Sequence, residues 1–162
     1  MTAKEFNTSV DLYADNIFRF IVKHVRNEDA AKDVVQETFA KVWQKHEEIS
    51  AEKVKSYLFT TAHRTLIDLL RKEKFKKDEA YIDQIQQAEP IKNMDLQKIL
   101  DGALEQLPEI QKTVVLLRDY EGYSYDEIAE ITGLELSQVK VYIFRARKKL
   151  QKILVSVEAV LD

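Results

Sequence analysis

Apolar residues recur at helical spacing along almost the whole chain, and strict alternation is hard to find, which points to helices rather than strands. Val10, Tyr13, Ile17, Phe20, Ile21 and Val25 predict a first amphipathic helix over about residues 6–25. A second, over about 29–46, carries Ala31, Val34, Val35, Thr38, Phe39, Val42 and Trp43 on one stripe, with Asp29, Asp33, Gln36, Glu37 and Lys41 off it. It should pack beside the first, with Trp43 in the core. After a polar loop around 47–52, a long third helix over about 53–75 carries Val54, Tyr57, Leu58, Ala62, Leu66 and Leu69 and runs into a basic end.

Periodicity then weakens. DEAYIDQIQQAEPIKN, residues 78–93, holds several acids and Pro90 and reads as a flexible linker. Fully extended, such a segment reaches at most about 55 Å, the length of about 16 base pairs. Two domains so joined could reach separate sites on one duplex.

The second half is punctuated more sharply. A helix over about 95–106 precedes Leu107-Pro108, with Pro108 suited to the first position of the next helix, where its missing N–H costs nothing. That helix ends near Tyr120. Gly122 suits a left-handed cap, and Ser124 with Glu127 has capping-box spacing, so another helix starts at about 125. It stops at Thr132-Gly133-Leu134, and a last helix begins near 136. Helix, short glycine-containing turn, helix is the helix-turn-helix pattern. The fold expected is therefore all-α: an N-terminal domain over 1–77, a linker over 78–93 and a C-terminal helix-turn-helix domain over 94–162.

Composition narrows the classes. Of 162 residues, 45% are hydrophobic and 33% charged, while 3 Gly and 2 Pro leave few helix breakers. With no Cys there is no disulfide framework or thiolate site. The opening MTAKEFNTSVDLY lacks the basic segment and apolar core of a signal peptide, and no run approaches the ~18 apolar residues of a membrane span. A cytoplasmic protein without membrane insertion is expected. No Gly-rich phosphate loop or nucleophile–base constellation appears. His24, His46 and His63 lie on different predicted elements, so packing or surface roles are expected rather than a metal site, which needs about three or four convergent ligands. Neither an enzyme nor a cofactor is expected. Gly102 sits inside a predicted helix at a cost of about 1 kcal/mol relative to Ala, which close helix packing could explain.

Charge is unevenly spread. The formal net charge is -3, yet Arg64, Arg71, Lys72, Lys74, Lys76 and Lys77 outweigh Asp68 and Glu73 over 64–77, and SQVKVYIFRARKKL, residues 137–150, contains bases and no acid. Two basic segments in an acidic frame suggest two localised anion contacts. On the last helix Val139, Ile143, Ala146 and Leu150 share one face, leaving Lys140, Val141, Phe144, Arg145 and Lys148 pointing elsewhere. In a helix-turn-helix that exposed surface lies in the major groove. Arg145 and Lys140 suit guanine edges, and Val141 and Phe144 suit thymine methyls. Arg147, Lys148 and Lys149 suit phosphates. A merely solvated cationic face is the alternative.

LEQLPEIQKTVVLLRDYEGYSYDEIAEITGLELSQVKVYIFRARKKL, residues 104–150, resembles the fourth conserved region of extracytoplasmic-function (ECF) sigma factors, of the sigma-70 superfamily. DAAKDVVQETFAKVW, residues 29–43, is similar to the family's second region, and KVKSYLFTTAHRTLIDLLRKEK, residues 53–74, to the segment that follows it. These motifs stand in the family's order and cover most of the chain. The resemblance implies a non-enzymatic transcription initiation factor that binds core RNA polymerase and promoter DNA, and that is usually restrained by an anti-sigma factor. It implies that Asp33, Gln36 and Glu37 face the polymerase β′ clamp helices. Arg64, Arg71, Lys72 and Lys74 would meet the minus-10 element, and the loop over about 45–53 would take up a flipped base. Gln138, Lys140, Val141, Phe144, Arg145, Arg147 and Lys148 would meet the minus-35 element.

The chain departs from the family's pattern at several of these positions. Arg64 replaces the usual Asn and Tyr57 the usual Trp, which bears on minus-10 readout. Gln138 and Val141 replace small hydroxyl residues, which should alter base preference more than general affinity. Glu135 is a weaker N-cap than Ser. The rival readings are a stand-alone helix-turn-helix regulator and a sigma-like decoy for an anti-sigma factor; basic residues kept in both DNA-facing helices argue against the decoy.

Overall fold

The computed structural model describes residues 1–79 and 96–161, and all regular structure among them is helical. The chain divides into two compact units, one around the first three helices and the other holding most of the last four.

In the first unit α1 spans Ala3–Val25, α2 Glu28–Gln44 and α3 Val54–Glu79. α1 begins earlier than its apolar stripe suggests because Thr2 and Glu5 form a reciprocal capping box: Glu5 N–H donates to Thr2 Oγ1 at 3.1 Å and Thr2 N–H to Glu5 Oε1 at 3.0 Å. It ends on Arg26, whose left-handed φ of 56° reverses the chain, and Asn27 then caps α2 by accepting from Ala30 N–H at 3.1 Å. This two-residue connection folds α2 back on α1, and α3 packs on both. Ile17, Phe20 and Ile21 of α1, Ala31, Val34 and Val42 of α2, and Leu58, Phe59, Ala62 and Leu66 of α3 are sealed from solvent. Phe20 and Phe59 meet edge to face with centroids 5.8 Å apart, a favoured aromatic geometry.

Trp43 is not a core residue: it is 43% exposed. The buried line of α2 runs through Ala31, Val34, Thr38 and Val42, and the next residue in each step falls ~100° round the helix, at the rim of the packed face. Trp43 is instead held between Phe6, with centroids 5.0 Å apart, and His46, stacked on it at 4.0 Å. The expected loop after α2 is two 3₁₀ turns, His46–Glu48 and Ala51–Lys53, around buried Ile49. The Met1 amino group donates to the carbonyls of His46 and Ile49 at 2.8 and 2.5 Å. α3 runs on to Glu79, so residues 78 and 79 of the expected linker are helical, and residues 80–93 lie outside the described residues.

In the second half of the chain α4 spans Leu96–Glu105, α5 Glu109–Val115, α6 Tyr125–Thr132 and α7 Leu136–Leu161. Pro108 caps α5 rather than opening it: its ψ of 146° is extended, and its carbonyl accepts from Lys112 N–H at 3.0 Å. Beyond Val115 the chain makes a π turn over Leu116–Tyr120, closed by Glu121 N–H on the Leu116 carbonyl at 3.0 Å, a feature without a signal in the apolar pattern. Gly122 follows at φ 75°, and the Ser124–Glu127 capping box forms at 3.0 and 3.1 Å. Gly133, at φ 76°, makes the turn into α7. Lys112 is buried with its ammonium on Glu105 at 3.0 Å, tying α5 to α4. A buried ammonium needs such a partner.

Gly102 is not packed closely, since a Cβ there would meet nothing within 4 Å. Gly102→Ala should therefore raise stability by about 1 kcal/mol, through helix propensity and a less flexible unfolded chain. Gly122→Ala, forced into a left-handed φ, should lower it by about 1 kcal/mol. Urea denaturation of the full chain reads both signs, and a destabilising Gly102→Ala contradicts the packing described.

Candidate nucleic-acid interface

α7 starts where its cap is completed. Glu135 is a poor side-chain cap, but Gln138 reaches back and accepts from Glu135 N–H at 3.0 Å, satisfying an otherwise orphaned donor. That bond occupies the oxygen of Gln138. Val139, Ile143 and Ala146 are at most 1% exposed and hold the helix down. Lys140, Val141, Phe144, Arg145 and Lys148 all stand exposed on other sides, Phe144 at 66% and Val141 at 42%. Apolar groups left this bare suit thymine methyls, and the cations beside them suit base edges or phosphates.

The three bases over 147–149 differ in their ties within the chain. Arg147 forks onto Asp119, with Nε to Oδ2 at 3.1 Å and a terminal nitrogen to Oδ1 at 2.6 Å. The hydrogen bond to Asp119 holds the guanidinium pKa above its ordinary value. Lys149 Nζ donates to the Gln106 carbonyl at 2.8 Å. All three are exposed, and among the described residues Lys148 has neither kind of tie. Asp119, the partner of Arg147, is a residue the sequence reading missed. The available signal was angular: at ~100° per residue, position 147 lies ~40° from Ile143, beside the packed stripe. Arg118, from the same π turn, donates to the Tyr123 carbonyl at 2.9 Å and lies over the Tyr125 ring at 4.6 Å.

In the first unit, Asp33, Gln36 and Glu37 are exposed on α2, three and four residues apart and so on one face. Glu37 pairs with Lys41 at 3.2 Å, and Lys41 also reaches Thr65 of α3 at 3.1 Å. Arg64, Arg71, Lys72 and Lys74 are exposed along α3, with Arg64 and Arg71 seven residues apart on a shared face. Tyr57 is partly exposed at its start. Among the described residues no group of three or more His, Asp or Glu is placed to hold a metal ion, and no helix is long and apolar enough to cross a membrane.

Residues 10–76 match the family model described as Sigma-70 region 2, and residues 97–150 the model described as Sigma-70, region 4. RNA polymerase sigma factor SigV of Bacillus subtilis is 34% identical over 146 residues, covering 87% of this chain and 86% of its own length. The chain belongs to the ECF sigma factors. ECF RNA polymerase sigma factor SigM of the same organism is 26% identical over 88% of this chain and 90% of its own. The sigma factor RpoE of Bartonella quintana, solved in complex with the anti-sigma factor NepR, aligns with a TM-score of 0.78 and 26% identity over 94% of this chain and 98% of its own. CnrH, solved with the cytosolic domain of CnrY, has the same fold at a TM-score of 0.71 and 21% identity, over 96% of this chain and 90% of its own.

Within this sigma factor the histidines have packing roles. His46 stacks on Trp43, while His24 and His63 are buried in the first unit, His24 edge-on to Phe20. His63 precedes the exposed Arg64. Its burial, then the charges of His24 and Arg64, lower its pKa to about 4. Because the folded value lies below the unfolded one, near 6.5, the unfolded chain binds the proton first as pH falls. Stability from this group should be intact above about pH 6.5 and decline by about 3 kcal/mol down to about pH 4. Urea titrations across that window should show the loss, and His63→Leu should flatten it. An equally steep loss in His63→Leu would contradict the assignment.

Proposed function

We propose that this chain directs core RNA polymerase to promoters, reading the minus-10 element with its first unit and the minus-35 element with its second. The observation that carries the reading is the coincidence of both matched sigma regions with the exposed basic surfaces of α3 and α7. The same domain division expected from the sequence, 1–77 and 94–162 joined by 78–93, would let each surface work on its own stretch of DNA. Asp33, Gln36 and Glu37 form a polar face on α2 suited to docking on the polymerase clamp. Arg64, Arg71, Lys72 and Lys74 meet the minus-10 strands, mainly through phosphate, and the 3₁₀ segment after α2 accepts a flipped base.

In α7, Lys140, Val141, Phe144 and Arg145 read base edges, with Gln138 offering its remaining amide N–H groups, and Lys148 holds phosphate. Arg147 spends its guanidinium on Asp119. The mechanism is delivery: the chain lowers the cost of strand separation by binding what separation exposes, and makes no covalent change itself. The regulating partner is an anti-sigma factor, by likeness to the RpoE relative solved with NepR.

Purified core polymerase should initiate from a promoter library only when this chain is added. Duplex binding by the chain alone, with no chain-dependent initiation, would overturn the reading in favour of a stand-alone regulator. Arg145→Ala should reduce discrimination at one minus-35 position by about 1–3 kcal/mol. Equal weakening on every sequence would make Arg145 a phosphate contact.

A further inference from the structure

Arg147 carries a charge suited to DNA, yet its place on α7 is on the flank of the packed stripe, ~40° from Ile143. The acceptor that meets it comes from the π turn. This turn carries Arg118 and Asp119 in succession: Arg118 braces the Tyr123 carbonyl and the Tyr125 ring, and Asp119 takes the fork from Arg147. The π turn, the start of α6 and the reading helix are thus joined by one chain of charged and aromatic groups. A bidentate guanidinium–carboxylate pair fixes direction as well as distance, which a single lysine contact does not.

We propose that Asp119 is a positioning residue for the reading helix: by binding Arg147 it sets how α7 stands against the π turn and withdraws that cation from the DNA-contacting set. The inference rests on the minus-35 role proposed above. An exposed ion pair contributes little to overall stability, so its effect falls on the aim of Lys140, Val141, Phe144 and Arg145. Phosphate contact and positioning differ in their salt signature, because each neutralised phosphate adds about 0.9 to the slope of log affinity against log salt.

The test uses full-length chain with core polymerase, binding a matched and a scrambled minus-35 duplex over a range of salt. Asp119→Ala and Arg147→Ala should each lower the matched-to-scrambled ratio by about two- to fivefold, with no further loss in the double variant. The salt slope should stay unchanged in Arg147→Ala and in the double variant and steepen by at most about one phosphate's share in Asp119→Ala, where Arg147 is released, and Asp119→Glu should recover selection. The proposal is overturned if Arg147→Ala flattens the slope by about one phosphate's share, or if Asp119→Ala leaves selection intact. No selection by the parent holoenzyme overturns the minus-35 role itself. The Arg147–Asp119 pair is then judged on the free chain by NMR. An Arg147 Nε–H resonance protected from exchange in the parent and lost in Asp119→Ala supports it, and an unchanged resonance overturns it.

Discussion

The burial of Val139, Ile143 and Ala146 is the constraint on which the reading of α7 depends. Once those side chains are sealed against the second unit, helical geometry decides the direction of every other residue on the helix. Lys140, Val141, Phe144, Arg145 and Lys148 cannot turn inward without exposing the stripe, and removing one large side chain from such a core costs about 2–5 kcal/mol. Their exposure is therefore imposed by packing. Phe144, bare at 66%, is the clearest case: an aromatic ring left in water on a rigid helix.

The cations divide by the same geometry. Arg147 and Lys149 are drawn back to Asp119 and the Gln106 carbonyl, Lys112 is buried against Glu105, and Arg118 is held by Tyr123 and Tyr125. What remains outward on α7 is a short set of bases beside apolar groups. In a chain of net charge -3, such a set gives localised attraction to phosphate while the acidic remainder opposes indiscriminate binding. Under the proposed function, part of the basic charge of α7 supports the fold and part meets DNA.

The helices, the Ser124–Glu127 box, the Gly122 cap and the Gly133 turn were legible because each is local chemistry at fixed spacing. The packed stripe of α7 followed from periodicity alone. Four things were not legible, each for a physical reason. The π turn over Leu116–Tyr120 changes register without changing the apolar pattern. The Arg147–Asp119 fork joins residues 28 apart in sequence. Gln138 completes the cap that Glu135 lacks, a role its residue type shares with many others. Trp43 stands at the rim of its stripe, where a few tens of degrees decide between core and surface.

Under the proposed function side-chain ties divide the bases of α7: Lys140, Arg145 and Lys148 meet DNA, whereas Arg147 and Lys149, though exposed, are held to Asp119 and the Gln106 carbonyl. Lysine acylation footprinting of the holoenzyme, with and without promoter duplex, tests this division directly. Lys140 and Lys148 should lose reactivity when duplex is added, whereas Lys149, tied to the Gln106 carbonyl, should change little and buried Lys112 should stay silent throughout. Protection of Lys149 with Lys140 and Lys148 still reactive would contradict that division.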